Sequence, residues 1–382
     1  MSKILTAKFV KDAQRSQRKS FNKETEVNNR FLTQARLCMR PVLLSLFLLL
    51  LASKVWASSL KTSKALQIYF VDVEGGQATL FVTPAGQSLL IDTGWPSNDG
   101  RDADRIVSAA KTAGVKKIDY VLLTHFHTDH AGGAPQLAAR IPIGTFIDHG
   151  DNREGTDGPT VEAWQGYQKL LASGKYKRIT AKPGDVMPIK GMQVTVVSSD
   201  GAVIDRPVPG AGRDNPGCKD AEQYPADKTE NLRSVGTLIR FGRLRILDLG
   251  DLTKDKEMEL MCPVNKLGDV DIYIVSHHGW AQSSSPQLVN GIDSRVAIMD
   301  NGAKKGGTPS TWDIIKKSPH LEDLWQLHFS EEGGPAHNVA DEFIANPQGP
   351  DAGKYLKLTA FGDGSLDVFN SRTQKTKHYA AR

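Results

Sequence analysis

One stretch decides the fold of this chain, Thr124-His125-Phe126-His127-Thr128-Asp129-His130-Ala131-Gly132-Gly133. An apolar run over residues 118–123 leads directly into it and predicts a buried strand. A glycine pair then opens a segment of helical pattern over residues 134–140. Ligands of open α/β sheets bind where a strand ends and a helix begins. The stretch therefore indicates a functional site at the end of a central strand.

The chemistry of the stretch points to a metal. Histidine and aspartate are ligands of first-row metals, and no cysteine thiolate lies among them. Zinc is the default ion, with iron or manganese as alternatives. A histidine-rich turn without a metal is the competing interpretation, but the HxHxDH spacing directly after a strand weighs against it.

These residues resemble the signature of the metallo-β-lactamase superfamily, HxHxDH after a buried strand. Three further motifs follow the order of that family, over residues 89–94, 247–251 and 274–279. Residues 70–78 and the pair Asn231 and Ser234 are similar to the ComEC-like branch, the hydrolase domain of DNA-uptake proteins. The resemblance covers roughly residues 66–300 and implies an α/β fold, the four-layer αββα sandwich.

The resemblance also implies a centre with two metal ions, which needs more ligands than one tetrahedral zinc ion. His125 and His127 would hold the first metal. Asp129 and His130 would hold the second. Asp251, which follows a predicted strand, would bridge the two ions as a carboxylate.

Further roles follow from the remaining motifs. His277 or His278 would complete the second metal; His277 is favoured, although spacing does not choose between them. Asp92 would orient a ligand histidine from behind, and Asp248 would be structural. A metal-held hydroxide would be the nucleophile, with Asp129 as proton acceptor and His278 as proton donor to the leaving group.

One expected ligand is absent. Members of the family carry a further histidine some tens of residues after the cluster, whereas residues 197–201 of this chain read Val-Ser-Ser-Asp-Gly. His149 lies near the end of a second predicted strand, residues 143–150, and would emerge on the same rim, where it could bind metal, bind substrate or cap a helix. Either His149 replaces the missing ligand, or the first metal is bound more loosely, or one metal is lost.

Composition limits the partners. The net charge of +5 is concentrated in residues 1–57, which carry 11 of the 48 basic and 3 of the 43 acidic side chains. The remainder is slightly acidic, so bulk charge offers no support for a nucleic-acid interface. A small-molecule or phosphodiester substrate is expected, and the sequence does not indicate the oligomeric state or the residues that bind the substrate.

The amino-terminal segment predicts export. An apolar run over residues 41–52 follows Arg36 and Arg40 and precedes the small-residue site Val55-Trp56-Ala57. The run is short for a membrane span and typical of a secretory signal peptide, with an uncleaved anchor as the alternative. Residues 1–38 are long for such a leader, so Met39 is an alternative start. Residues 58–382 would form the periplasmic or secreted hydrolase, with a carboxyl-terminal extension from about residue 330.

Two cysteines fit that destination. Cys38 lies in or before the leader, which leaves Cys218 and Cys262 in the exported part. Two thiols in an oxidising compartment are expected to pair. The bond would tether the irregular loop that contains Cys218 to the end of the helix before Cys262.

Three functions compete at this stage. The first is an exported metal-dependent hydrolase that acts on a phosphodiester or related ester. The second is a lactone or β-lactam (amide) hydrolase, against which the missing histidine and the ComEC-like motifs count. The third is a non-catalytic binding protein on the same scaffold, against which the intact ligands in four motifs count.

We predict cleavage after Ala57 and export, because a basic flank, an apolar core and a small-residue site occur in that order. Mass spectrometry of the processed protein and fractionation of the expressing cell check this. A cytoplasmic chain with an intact amino terminus would contradict the prediction.

Overall fold

The computed structural model describes residues 64–382. The predicted leader, its cleavage site and Cys38 lie outside these residues. Within the part described, no helix is long and apolar enough to cross a membrane.

Twenty strands are present in the described part of the chain. They are β1 Leu66–Phe70, β2 Thr79–Val82, β3 Ser88–Ile91, β4 Ile118–Leu122, β5 Ile143–Asp148, β6 Lys177–Thr180, β7 Val186–Met187, β8 Gln193–Ser199, β9 Ala202–Val203, β10 Arg213–Asp214, β11 Gly236–Phe241, β12 Leu244–Asp248, β13 Val264–Asn265, β14 Ile272–Ile274, β15 Val296–Met299, β16 Asp323–His328, β17 Ile344–Asn346, β18 Leu356–Ala360, β19 Leu366–Asn370 and β20 Lys375–Tyr379.

Seven α-helices lie between them in residues 64–382. They are α1 Arg101–Thr112, α2 Thr128–Ala131, α3 Ala134–Ala138, α4 Gly158–Ala172, α5 Lys254–Met261, α6 Pro286–Ile292 and α7 Pro309–Lys316. Short 3-10 turns occupy Asn98–Gly100, Pro216–Cys218, Asn231–Arg233, Ser276–Gly279, Pro335–His337 and Asp341–Phe343.

The first sheet has the strand order β20-β19-β18-β1-β2-β3-β4-β5-β6. Its strands β1 to β3 form a meander of antiparallel pairs, and β3 to β6 continue in parallel. The carboxyl-terminal strand β18 pairs with β1, so residues beyond 355 extend this sheet.

The second sheet has the strand order β17-β16-β15-β14-β12-β11-β8-β7, with β9 paired to β8. Strands β12, β14, β15, β16 and β17 run in parallel, and β11 and β8 are antiparallel to their neighbours. A separate short ladder joins β10 and β13.

Side-chain alternation along the strands explains why the sheets stack. In β1, Ile68 packs between the two sheets and Tyr69 packs on the opposite face, under the helices. In β14, Ile272 enters the same inter-sheet core and Tyr273 faces the other helical layer. Each sheet is thus apolar on both faces, as sheets covered on both sides require.

The layers are therefore helix, sheet, sheet and helix. Helices α1 and α4 cover the first sheet through residues such as Ile106 and Trp164. Helices α5, α6 and α7 cover the second sheet through residues such as Leu260, Val289 and Ile315. The predicted four-layer αββα class is confirmed.

The two cysteines of the described part lie together. Their sulfur atoms are 1.94 Å apart, and their Cα atoms are 5.7 Å apart, within the range of disulfides. Cys218 ends a short turn and Cys262 follows α5 directly. This candidate disulfide ties the long segment between β9 and β11 to the second helical layer.

We predict that the replacement of both cysteines by alanine lowers the free energy of unfolding. The bond closes a loop with a sequence separation of 44 residues, for which chain entropy gives up to about 4 kcal/mol. Denaturant unfolding of the wild type with and without reductant, beside the double variant, measures the loss. Equal midpoints in all three samples would show that the bond is absent or without effect.

Candidate metal centre

The centre lies between the carboxyl ends of the two sheets. Strand β4 of the first sheet ends at Leu122, and the histidine-rich stretch follows and turns into the short helix α2. Strands β12 and β14 of the second sheet end at Asp248 and Ile274, and Asp251 and the turn Ser276–Gly279 follow them. Each sheet thus supplies part of the site.

Four buried side chains converge as one group of donor atoms, Asp129, His130, Asp251 and His278. The His130 Nε2 atom lies 3.3 Å from Asp129 Oδ2 and 3.2 Å from Asp251 Oδ2. It also lies 3.1 Å from His278 Nε2. Two carboxylates and two imidazoles at these separations form a donor set that suits zinc, manganese or iron.

A second group adjoins the first and consists of His125, His127 and Asp251. The His125 Nε2 atom lies 3.1 Å from His127 Nδ1 and 3.9 Å from Asp251 Oδ2. Asp251 belongs to both groups, so its carboxylate stands where a bridging ligand would stand. Its Oδ1 atom is buried without a hydrogen-bond partner among the described residues. The His278 Nε2 atom lies 3.5 Å from this oxygen, and a cation would supply the closer partner that a buried carboxylate oxygen needs.

Carboxylates stand behind three of the histidines. The His130 Nδ1 atom lies 2.7 Å from Asp92 Oδ2, and the His278 Nδ1 atom lies 3.4 Å from Asp300 Oδ1. At His127 it is Nε2 that lies 3.0 Å from a carboxylate, the Oε2 atom of Glu154.

A hydroxyl takes that place at the fourth histidine, because the His125 Nδ1 atom lies 3.0 Å from Thr124 Oγ1. Each ring of the two groups therefore has one nitrogen turned to the centre and the other near an outer partner. Metal-binding histidines are held in this way, so the residues present fit a metal centre.

Asp92 and Asp248 have different surroundings. Asp92 has a left-handed backbone, φ 60°, and accepts hydrogen bonds from the Thr124 amide (2.8 Å) and hydroxyl (2.7 Å) while it contacts His130. Asp248 accepts hydrogen bonds from Gln77 Nε2 at 2.7 Å and from the Gly250 amide at 3.0 Å. Burial raises the pKa of Asp248 to about 7, and its side chain belongs to neither donor group.

The charges of the side chains in the centre favour a bound cation. Burial opposes a charge on His130, but Asp251, Asp129 and Asp92 together hold its pKa well above the usual value. Burial, with His130 and His127 alongside, holds the pKa of His125 well below the usual value. The carboxylates thus attract positive charge into a buried site, and the neutral His125 ring is ready to donate its lone pair.

The paired histidines separate in the structure. Both have a left-handed backbone, with φ 55° at His277 and 53° at His278, so successive rings diverge. His278 joins the donor group, whereas His277 approaches Asp251 alone, with its Nε2 atom 3.4 Å from Oδ2 and its Nδ1 atom 3.3 Å from Ser283 Oγ. The structure therefore brings His278, and not the favoured His277, into the donor group. Because His278 Nε2 faces the group, a role as proton donor would compete with metal binding.

His149 does not replace the missing ligand in this geometry. Strand β5 does neighbour β4, as expected. However, the His149 Nε2 atom lies 2.7 Å from Glu230 Oε2, and the ring packs on Phe126 at 4.6 Å between centroids. Glu230 is buried and also accepts hydrogen bonds from the amides of Phe126 (3.2 Å) and Arg153 (2.9 Å). His149 therefore anchors the loop behind the first group and belongs to neither group.

Sequence reasoning missed four charged residues at this centre, Glu154, Glu230, Asp300 and Lys305. The ammonium of Lys305 contacts the Asp129 carboxylate. Glu154 and Glu230 lie on irregular loops without a motif, so the spacing offers no signal for them. Lys305 lies in the glycine-rich run Asn301-Gly302-Ala303-Lys304-Lys305-Gly306-Gly307, which could have marked a loop close to the site.

Comparison with known proteins supports the resemblance. Residues 71–214 match the family model described as the metallo-β-lactamase superfamily. That segment contains Asp92 and the whole histidine-rich stretch. The predicted resemblance to the metallo-β-lactamase superfamily is confirmed over this segment.

Two curated relatives are similar over most of this chain. ComE operon protein 3 of Bacillus subtilis is 24% identical over 250 residues, 62% of this chain and 28% of that protein. Recombination protein 2 of Haemophilus influenzae is 23% identical over 263 residues, 69% of this chain and 26% of that protein. The chain thus spans about a quarter of the length of each. Among solved structures, the metallo-β-lactamase fold protein YhfI of Bacillus subtilis is 12% identical, with 77% of this chain and 99% of that chain covered, at a TM-score of 0.43.

We predict that Glu154→Ala weakens zinc binding at His125, His127 and Asp251 by about 10–100-fold, because the His127 ring loses its outer carboxylate. Zinc titration of the metal-free protein by calorimetry measures the affinity of each step. Glu162→Ala, on an exposed position of α4, is the matched control. Unchanged affinities in both variants would show that Glu154 does not hold the ring for a metal.

Proposed function

We propose that this domain is an exported hydrolase that uses two zinc ions to cleave a phosphodiester or a related ester. The observation that carries the proposal is the shared carboxylate of Asp251, which joins two adjoining groups of buried donor atoms. His125, His127 and Asp251 would hold one ion, and Asp129, His130, Asp251 and His278 the other. When bound, such metals supply a hydroxide near neutral pH and neutralise the developing charge on the oxyanion.

The residues of the chain keep that chemistry in place. Asp92 and Glu154 lie against the outer nitrogens of His130 and His127 and fix which nitrogen faces the centre. Asp300 lies 3.4 Å from the outer nitrogen of His278. Burial excludes bulk water from His125 and His130, so the charges inside act more strongly than they would in water. Asp129 would be the proton acceptor, in competition with its roles as a metal ligand and as the partner of Lys305.

Two observations support a phosphodiester substrate. The curated relatives include a protein named for recombination, a process of nucleic acid. The lysine at Asp129 adds a positive charge beside the donor atoms, which favours an anionic substrate over a neutral lactone or amide. The slightly acidic composition of the mature part favours a small phosphodiester over a long nucleic acid.

Export is part of the proposal and depends on the leader. The basic flank and apolar run of residues 36–52 support a periplasmic or secreted location. The candidate disulfide is in accord with an oxidising compartment.

We predict that the zinc-loaded protein hydrolyses bis(p-nitrophenyl) phosphate, and that chelation abolishes the activity until zinc is restored. A simple lactone and a β-lactam are assayed in parallel. Preference for either would replace the phosphodiester proposal with the lactone or amide alternative. Metal binding without hydrolysis of any of the three would favour the non-catalytic binding protein.

We predict that His130→Ala lowers the hydrolysis rate by at least about 10²-fold, because the loss of a ligand exceeds the loss of an outer partner. His320→Ala is the control, since that side chain is largely exposed and contacts Asp293 away from the centre. Metal content is measured on both variants. Full activity of His130→Ala at reduced metal content would show that hydrolysis does not need the metal.

A further inference from the structure

We propose that Lys305 and the cavity beside the metal centre bind the anionic group of the substrate. The inference rests on the proposed hydrolase function and names the charge of its substrate, a monoanionic phosphodiester. Lys305 would be a substrate-binding residue that contacts a non-bridging phosphoryl oxygen.

The cavity adjoins the metal centre through Lys305. Its volume is about 550 Å³, and its lining includes Trp95, Lys304, Lys305, His328 and Phe329. Lys305 also contacts Asp129, which belongs to the donor group. The same side chain therefore lines the cavity and reaches the reacting centre. Such a volume suits a small organic ligand.

The ammonium of Lys305 lies between aromatic rings. Its Nζ atom is 5.3 Å from the centroid of Trp95 and 6.0 Å from that of Trp280. The side chain keeps about a quarter of its surface exposed, 23%, so a ligand can reach it. Aromatic faces hold a cation in place without cancelling its charge.

Backbone contacts fix the loop that presents this lysine. The amides of Gly307 and Thr308 donate to His278 O (2.9 Å) and Gly279 O (3.0 Å), so the loop is bound to the turn of the ligand histidine. Gly306, at φ 81°, has no room for a Cβ atom because the His278 carbonyl lies against it. Lys305 is therefore held at a fixed place relative to His278.

The loop that carries Lys305 also packs closely against the turn after β1. A Cβ atom on Gly75 would lie 2.9 Å from Gly302 N and 2.9 Å from Lys305 Cβ. Gly302 N also donates to Lys305 O at 2.8 Å. The loop is thus enclosed between the turn after β1 and the histidine turn, which preorganises the lysine for a ligand.

The ion pair with Asp129 would not neutralise Lys305 fully once a metal is bound. A metal at the donor group would share the Asp129 carboxylate, which weakens its attraction for the ammonium. The lysine then carries positive charge beside a cation, and an anionic oxygen is the natural partner for both. A neutral ester would leave that charge without a counterion in a partly buried site, which is unfavourable.

The remaining charges of the cavity allow an anion. His328 contacts the buried Asp72, its Nε2 atom 2.6 Å from Oδ1, and this carboxylate raises the histidine pKa against the effect of burial. Glu74 also lines the cavity, and its Oε2 atom lies 3.9 Å from His328 Nε2. Asp351 is already paired with Arg105, and Glu331 is exposed to solvent.

The test compares two substrates that differ by one charge, bis(p-nitrophenyl) phosphate and its neutral methyl ester. In zinc-loaded Lys305→Met, kcat/KM for the monoanion should fall about 10–100-fold, the loss of one hydrogen bond to a charged group, and the neutral ester should be affected little. Lys305→Arg should restore part of the loss. Lys316→Met, which removes another lysine beside a tryptophan, at 5.9 Å from Trp312, should leave both substrates unaffected.

A binding measurement separates this inference from the proposed function. The ³¹P line width of dimethyl phosphate is recorded with zinc-loaded wild type, Lys305→Met and Lys316→Met, and metal content is measured on each. Line broadening in wild type and Lys305→Met that differs, with less broadening in Lys305→Met, supports the inference. It does so even if the wild type hydrolyses neither substrate, a result that would overturn only the proposed function. An equal loss on both substrates with reduced metal content would show that Lys305 only positions Asp129 and would overturn the inference. Full activity of Lys305→Met, or no broadening in any protein, would overturn it too.

Discussion

The carboxylate of Asp251 is the contact on which the centre depends. It belongs to both donor groups, and one of its oxygens is buried without a hydrogen-bond partner among the described residues. Burial alone would raise its pKa, yet the surrounding His130, His277 and His278 hold it well below the usual value. A buried carboxylate of this kind needs positive charge nearby. The arrangement of rings, outer carboxylates and loops around it provides places for that charge.

Sequence patterns predicted the fold and the core of the site for physical reasons. Apolar runs define strands because both faces of each sheet are covered, as Ile68 and Tyr69 of β1 illustrate. The local spacing of His125 to His130 brings four donors together because a strand end and the first turn of a helix are short, stiff elements. Asp251 follows the strand next to that of His278, so their convergence follows from the parallel pairing of β12 and β14.

Other parts of the site had no local pattern to predict them. The choice between His277 and His278 depends on two left-handed residues in succession, which only the folded turn specifies. His149 follows β5 directly, but its ring contacts Glu230, which lies far along the chain, and not the donor atoms. Glu154 and Lys305 reach the centre from irregular loops, where position depends on tertiary contacts such as those of Gly75 and Gly306.

The division of the centre between the two sheets has a consequence for how the chain acquires its metal. During synthesis the four donors from His125 to His130 emerge first, and the shared carboxylate follows about a hundred residues later. A partly made chain can offer only an open, weakly chelating patch, whereas a closed cage exists only after both halves have docked. An ion bound in that cage links the halves and favours the finished structure by mass action. The complete set of donors is thus available only where folding is completed.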